Sequence, residues 1–376
     1  MSKEDSPSSA FNFISCSFSH ECDIQNPLSS SVIRLIGMVL RGDSEKTVNE
    51  QTEISVKLYN ESAAKSVSSY RFLLKGTDQN VNFPTTTLQD VNNRSTDEFL
   101  VQLLKAIEVC RSEVTTTFFC QLLLDFITCC KPSASLIRQR RIIRLDGTNS
   151  LIRCFVLFIA ESVHCSCIDL LCSLLIMLYV RDKKFCLKVR LDGLIMLFQK
   201  KLLLLAKDKK MISVLQLCCC CIRSVQNARM FGRNQEFIKN LIAAIVSGTD
   251  TIAVARLTEI LYVIIKFKNR LVMTTLESND IFVILTKTFQ KYVQQQFSEQ
   301  AVLEICLFTV ASLRNLIRLK RNRERLQAIG AMETFHSAIS LINDDKEYLD
   351  DNSPLGPSII NLKASILLYL YLKRQT

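Results

Sequence analysis

The sequence is poor in residues that interrupt helices. It has nine glycines and six prolines among 376 residues, and no proline lies between Pro132 and Pro354. Because proline breaks helices and glycine weakens them, this scarcity favours long helices over strands joined by tight turns. The span between those two prolines is therefore predicted to be helical throughout.

The sequence also lacks tryptophan, and its arginines do not alternate with aromatic residues as they do in proteins that stack single-stranded nucleic acid. Nucleic acid is therefore not an expected partner. The formal net charge of +11 favours acidic partners through long-range attraction. Acidic protein tails and anionic lipid both meet that condition.

Long apolar runs are absent as well. The opening residues, MSKEDSPSSAFNF, carry early acidic side chains, which argues against a secretory signal. Charged and polar residues interrupt the most apolar region, 151–180, whereas a membrane-spanning helix needs about 20 mostly apolar residues. No transmembrane segment is predicted. Cysteines that lie within apolar helical patterns indicate a reducing, cytoplasmic location.

Composition divides the chain into four parts. Residues 1–94 are rich in Ser, Thr, Asn and Gln and are predicted to form a low-complexity, largely disordered lead with two weak helices. Ser95 and Glu98 have the spacing of a capping box before an apolar run, so an ordered helix is expected to begin there. The other predicted parts are helical repeats over 95–343, an acidic linker over 344–357 and a terminal helix over 358–376.

One local pattern recurs in the predicted repeats. A small or polar break precedes an apolar helix near Gly147, Gly193, Gly232, Asn279 and Gly330. The spacing of roughly 40 to 50 residues is the period of HEAT and armadillo arrays, in which each repeat buries its apolar face against its neighbours. The predicted fold is an all-α, armadillo/HEAT-type α-solenoid with a poorly ordered amino-terminal lead.

The segment 298–342 resembles one armadillo repeat. Its LRNL ends one helix, Asn322 and Arg323 open the next, and Gly330 precedes another apolar helix. In armadillo proteins that bind extended peptides, the groove-lining third helix commonly carries an asparagine that holds the peptide backbone. Asn315 matches that position by resemblance.

The neighbouring repeats differ from this pattern. Counting back the same distance from their opening asparagines gives Cys220 and Tyr262 in place of a second and third asparagine. A continuous asparagine ladder is therefore absent, which argues against peptide capture of the importin kind. Cys220 and Tyr262 stay candidate groove positions.

A run of arginines follows the same segment. Their spacing of four, three and four residues would place them on one face of a continuous helix. Two interpretations stay open: a solvated face with cations near the carboxyl end of a helix, or a clamp for the carboxylates of an acidic tail. The candidate partner-binding residues are Arg314, Asn315, Arg318, Arg321, Arg325, Cys220 and Tyr262.

Four consecutive cysteines stand in the stretch LQLCCCCIRS, residues 215–224. On a helix four successive side chains spread over about 300°, so these thiols cannot easily converge on one metal ion or pair with each other. Cys218 and Cys221 have the spacing of a buried face. The pattern predicts a solenoid helix and leaves open whether Cys220 and Cys219 face the groove.

A longer resemblance covers about residue 146 to the end. The segments RDKKFCLKVRLDGLIMLFQKKL and VLQLCCCCIRSVQNARMFGRNQEFIKNLI, followed by the repeat described above, resemble in order and spacing the amino-terminal armadillo-like region of the large cytosolic carboxypeptidases. That family removes glutamates from tubulin and other acidic tails. The resemblance implies a scaffold in the cytoplasm, associated with the cytoskeleton, that orients a substrate or a protein partner.

In that family the chemistry belongs to a separate zinc domain with a His-x-x-Glu pair and a later histidine. This chain has three histidines, His20, His164 and His336, and Asp23 stands where the motif would need glutamate after His20. His164 and His336 interrupt apolar helices and are expected to be core or groove residues. We therefore expect no catalytic residue, cofactor or metal ligand in this chain, and zinc only in a domain that is absent from it.

Two alternatives to the carboxypeptidase interpretation stay open. One is a stand-alone armadillo adaptor that binds an unrelated protein through its groove. The other is a scaffold that palmitoylated cysteines hold at a membrane surface.

Overall fold

The described part of the chain consists of helices joined by short turns. The computed structural model describes residues 27–64, 86–128, 132–161, 165–207, 212–267, 270–295, 299–317, 324, 328–344 and 355–374. Every regular element within those residues is an α-helix, which confirms the predicted all-α class. The chain divides into two units, residues 1–188 and 189–376, with the boundary inside one short helix.

The helices of the first unit form two rows. In chain order they are α1 (Pro27–Arg41), α2 (Glu45–Ala64), α3 (Thr86–Val109), α4 (Glu113–Thr128), α5 (Pro132–Arg144), α6 (Gly147–Glu161), α7 (Cys167–Tyr179) and the boundary helix α8 (Phe185–Leu191). Helices α1, α3 and α6 pack in that order, and α2, α4 and α7 form the second row. Helices with neighbours on several sides must be apolar over most of their surface, as α4 and α7 are.

The second unit also has two rows. Its helices are α9 (Leu194–Lys207), α10 (Ile212–Ile222), α11 (Val225–Arg233), α12 (Gln235–Ser247), α13 (Thr251–Lys266), α14 (Arg270–Ser278), α15 (Ile281–Val293), α16 (Gln300–Ile317), α17 (Ala331–Asp344) and α18 (Gly356–Arg374). Helices α10, α13, α16 and α18 pack consecutively and are called the α13 row below. Helices α9, α12, α15 and α17 form the α12 row.

Helix lengths repeat along this unit. Helices α11, α12 and α13 have 9, 13 and 16 residues, and α14, α15 and α16 have 9, 13 and 18. The third helix of each triplet belongs to the α13 row, and the second belongs to the α12 row. A short, a middle and a long helix therefore follow one another in the same order at least twice.

Side-chain caps fix the starts of three successive helices. Ser224 accepts a hydrogen bond from Asn227 N at 3.1 Å, Asn234 accepts one from Phe237 N at 3.0 Å, and Asp250 accepts one from Ala253 N at 2.9 Å. Each cap satisfies a backbone N–H that the helix cannot, and contributes about 1 kcal/mol. The break that the sequence pattern placed at Gly232 is thus at Asn234, because Gly232 lies inside α11.

Left-handed backbone recurs directly before several helices. It is adopted by Asp146, Gly193, Asp280 and Gly330, with φ of 61°, 75°, 48° and 72°. These residues directly precede α6, α9, α15 and α17, where the chain turns from one helix into the next. Gly147, the predicted break, instead begins α6. A Cβ at Gly147 would lie 2.6 Å from Ile142 Cγ2, so glycine allows the close packing of α5 and α6.

Helix α16 forms the centre of the second unit. Among the described residues it is the one helix long and apolar enough to cross a membrane, and 61% of that window is buried inside the structure. It packs against α13, α15 and α18. Contacts on several sides explain why an 18-residue helix has so few polar positions.

Two helices lie wholly within the described part of the amino-terminal lead, for which the sequence predicted a largely disordered segment with two weak helices. Residues 27–64 form α1 and α2, and Val32 and Leu35 of α1 are fully buried. Helix α3 begins at Thr86, so Ser95 lies inside the helix and is not its N-cap. The packing of α1 on α3 supplies burial that the polar composition did not suggest. Residues 68–76, a short apolar segment of the lead, lie outside the described residues, as do residues 345–354 of the predicted linker.

The terminal helix, α18, is covered on one side. It begins at Gly356, and Ile366 and Tyr369 are buried where it packs on α16 and α17. Leu367 and Leu368 point away from that contact and are exposed. Only part of the apolar ILLYLYL segment is therefore buried within this chain.

Candidate functional site

The candidate residues named from the sequence do not form a single cluster. Tyr262 is half-buried on α13, and Asn315 on α16 donates from Nδ2 to Ala311 O of its own helix at 3.0 Å. Arg314 is also half-buried, and its Nε is a buried donor without a hydrogen-bond acceptor among the described residues. The remaining arginines of the predicted ladder, Arg318, Arg321 and Arg325, lie outside the described residues.

The four cysteines are all in the core. Cys218, Cys219, Cys220 and Cys221 are buried, including the two that the sequence left open. Burial raises the pKa of the Cys218 and Cys219 thiols, and Cys219 Sγ donates to Arg256 O of α13 at 3.4 Å. These thiols are therefore neutral at physiological pH and pack as small apolar groups. Cys220 is not an open groove position, because α10 is covered by its neighbours in the core.

Tyr262 lines a cavity of about 310 Å³ where α10, α13 and α16 come together. Its ring lies 5.7 Å from that of Phe308 on α16, with an interplanar angle of 31°. The other lining residues are Arg223, Glu259, Val263, Lys266 and Phe267. This cavity brings aromatic rings and charged groups of three elements together.

Alternating charges connect the same three elements. Glu259, with a side chain only 4% exposed, accepts from Arg223 Nη2 at 2.8 Å and from Arg256 Nη1 at 2.9 Å. Arg256 also pairs with Glu304 of α16. Because each buried charge has an opposite partner, the network holds the cavity wall without an isolated ion.

The cavity has a positively charged rim. Arg223 follows the end of α10 and its side chain is 50% exposed, while Lys266 ends α13 and is exposed. Lys266 Nζ lies 5.5 Å from the ring centroid of Phe267. Arg223, Arg256 and Lys266 against Glu259 and Glu304 leave one excess positive charge in this cluster.

Counting residues along the sequence did not give the side-chain contacts between the helices of the α13 row. It matched Tyr262 with Asn315, whereas the ring that contacts Tyr262 belongs to Phe308, two helical turns earlier on α16. It also missed Arg223, Glu259 and Lys266. One signal was available: Glu259 is the single acidic residue in the apolar helix TIAVARLTEILYVIIK, a position that requires a partner when buried.

A repeat-opening asparagine has a structural role. Asn227 is fully buried, donates from Nδ2 to Cys221 O at 2.8 Å and accepts from Arg190 at 3.4 Å. The first bond provides a donor for a carbonyl at the end of α10. Asn227 therefore joins α10 to α11.

The structure describes one of the three histidines. His336 is exposed on α17, which corrects the expectation of a core or groove residue. His20 and His164 lie outside the described residues. No group of three or more His, Cys, Asp or Glu side chains that could hold a metal ion is found among the described residues.

The phrase RDKKFCLK, from the longer resemblance, forms a local ion-pair site. Asp182 is buried, and Lys188 Nζ lies 3.0 Å from its Oδ2 and 3.4 Å from Asp146 Oδ1. Lys184 N donates to Asp182 Oδ1 at 2.9 Å at the start of α8. Burial alone raises the pKa of the Asp182 carboxyl, but the Lys188 ammonium and the hydrogen bond from Lys184 N lower that pKa below its ordinary value overall.

Acid is therefore expected to destabilise the fold through Asp182. A carboxyl whose pKa is lower in the folded state contributes stability above its unfolded pKa of about 3.9, and loses it as the pH falls through the folded value. Thermal unfolding of Asp182→Asn should depend less on pH below about pH 4 than that of the wild type. The same change at the exposed Asp169, a carboxylate outside this site, provides the comparison. Identical pH profiles for Asp182→Asn and the wild type would contradict this role.

Comparisons with known proteins give no family for this chain. No protein-family model matches it, and no curated protein sequence matches it significantly.

Proposed function

We propose that this protein is a non-catalytic scaffold of the armadillo type, and that its α13 row holds an extended, acidic segment of another protein. In this proposal each triplet of short, middle and long helices is one repeat, and the third helices line the binding groove. The observation that carries the proposal is the cationic and aromatic cavity at Arg223, Tyr262, Lys266 and Phe308.

Three features of the second unit support the armadillo interpretation. The triplets recur with the same order of lengths, the third helices pack on each other in sequence, and left-handed residues precede α9, α15 and α17. The first two features are what a stack of three-helix repeats would produce. The division into repeats was also expected from the spacing of breaks along the sequence.

The proposed partner is acidic because of charge. The chain carries a formal net charge of +11, and the rim of the cavity is positive. Carboxylates of an acidic segment would gain charge-assisted hydrogen bonds from guanidinium and ammonium groups there. Tubulin tails and similar polyglutamate segments meet this requirement. The resemblance to the amino-terminal region of cytosolic carboxypeptidases suggests the same partners, in the cytoplasm and at the cytoskeleton.

Co-sedimentation with microtubules that bear or lack polyglutamate tests this proposal. We expect preferential binding to glutamylated microtubules, and roughly a 3- to 10-fold loss of affinity for Lys266→Glu, because the change places a like charge at the rim. Lys239→Glu is the matched control. Lys239 is equally an exposed lysine but lies on α12, in the other row, so its change should have a much smaller effect.

Other results would contradict the proposal. Equal binding to both kinds of microtubule, or no binding, would exclude an acidic-tail function. A partner whose binding depends on the α13 row but not on charge would favour the stand-alone adaptor. Palmitoylation is less favoured at LQLCCCCIRS, because those four thiols are buried.

A further inference from the structure

Three of the seven residues that line the cavity are aromatic. Tyr262, Phe267 and Phe308 line it, and all three rings are half-buried, so part of each ring contacts solvent. The Tyr262 and Phe308 rings lie side by side at 5.7 Å. Partly exposed rings grouped in a concave site are typical of positions that bind a partner side chain, since their burial contributes strongly to affinity.

The size of the cavity limits what it can accept. At about 310 Å³ it lies at the lower end of the range of roughly 300 to 1,000 Å³ found for ligand pockets. A space of this size suits a single large side chain better than a nucleotide or another extended cofactor. Val263 adds an apolar surface between the rings.

The charges around the cavity determine which kind of side chain its aromatic rings can bind. Rings with a nearby carboxylate can form a cage for a cation, but Glu259 is already paired with Arg223 and Arg256. Arg223 and Lys266 at the rim would repel an incoming lysine or arginine. The same two cations favour a carboxylate next to an uncharged ring.

We infer that this cavity accepts an aromatic side chain of the bound segment, flanked by acidic residues that contact Arg223 and Lys266. The inference rests on the proposed function, because it treats the ligand as the acidic segment held along the α13 row. The inference adds a requirement for an aromatic residue in the bound segment, which charge alone does not impose. A segment of glutamates without an aromatic residue would bind only at the rim.

Fluorescence anisotropy with labelled polyglutamate peptides tests the inference on the full chain. The peptides differ at one central position, which is phenylalanine, alanine or lysine. We expect the phenylalanine peptide to bind roughly 10- to 30-fold more tightly than the alanine peptide, in the range of a buried aromatic anchor. Phe308→Leu and Tyr262→Leu should each remove most of that preference.

A matched variant separates the cavity from a general loss of aromatic packing. Tyr179 is a half-buried tyrosine on α7 with a ring contact to Phe185 at 5.4 Å, so Tyr179→Leu makes a similar change in the first unit. It should keep the wild-type preference. Circular dichroism checks that each variant is folded. If one of the two cavity variants does not fold, the other still tests the inference.

The outcomes distinguish this inference from the proposed function. Equal affinity for the phenylalanine and alanine peptides would overturn the aromatic requirement and leave acidic-segment binding intact. Tighter binding of the lysine peptide would overturn it in favour of a cation cage. A preference that survives both cavity variants would also overturn it. Failure of every peptide to bind would overturn the proposed function together with the inference.

Discussion

Replacing Phe335 by alanine is expected to lower the free energy of unfolding by about 3–5 kcal/mol, the usual cost of removing a fully buried phenylalanine ring. Phe335 lies between Phe289 of α15, with ring centroids 4.9 Å apart, and Tyr369 of α18, at 4.6 Å. Its removal leaves a cavity where three helices meet and takes a neighbour from both rings. Urea unfolding followed by circular dichroism measures the loss.

The adjacent residue provides the control for this change. His336 is on the same helix but exposed, so His336→Ala should alter the free energy of unfolding by no more than about 0.5 kcal/mol. If Phe335→Ala cost less than about 1 kcal/mol, the ring stack would not be a main support of the second unit. The two changed residues are neighbours on α17 and differ mainly in burial, so the comparison measures the effect of burial.

Replacing Glu259 by alanine is expected to cost about 3–5 kcal/mol, as breaking a buried ion pair from one side does. Glu259 is the acceptor for both Arg223 and Arg256, and Arg256 is itself largely buried. Without the carboxylate, Arg256 keeps only Glu304 as an ionic partner among the contacts described above. Glu259→Gln retains a hydrogen-bond acceptor and should cost less. The same urea unfolding experiment measures both variants.

An exposed ion pair is the control for Glu259→Ala, because it shows how much stability a pair in contact with solvent contributes. Asp43 pairs with Arg41 at 2.9 Å near the end of α1, where both side chains contact solvent. Asp43→Ala should cost between about 0 and 1 kcal/mol, because exposed ion pairs contribute little. A similar small cost for Glu259→Ala would mean that the network at the cavity wall is not important for stability.

Much of the helical organisation was predictable from local pattern. The lack of proline between Pro132 and Pro354 indicated helix, and every described regular element in that span is helical. The breaks near Gly193 and Gly330 precede α9 and α17, since glycine adopts positive φ without strain. The breaks at Gly147 and Gly232 were misplaced by one or two residues because the turn is made at Asp146 and Asn234 instead.

The sequence indicated two weak helices in the amino-terminal lead but not how they would pack. The composition of the lead is polar, and composition measures average burial along the chain. Helix α1 nevertheless buries one face against α3, so a few apolar residues in helical spacing were sufficient. Tertiary contact supplied the stability that local composition did not indicate.

The candidate site was only partly predictable. Tyr262 was named from the repeat register and does line a cavity, but Cys220 was named in the same way and is buried. Counting residues assumes equal helix lengths, whereas α10 has 11 residues, α13 has 16 and α16 has 18. Side chains at matching positions along the sequence therefore lie at different heights on the three helices.

The sequence by itself determined that the chain forms helices, roughly where many of them begin, and that it carries excess positive charge, because these properties depend on local propensity, capping and composition. Only the tertiary structure decided which side chains meet across helices: Tyr262 with Phe308, Glu259 with two arginines, and all four cysteines with the core. Such contacts depend on the relative height and rotation of neighbouring helices. Helix packing sets those quantities, and residue spacing does not specify them.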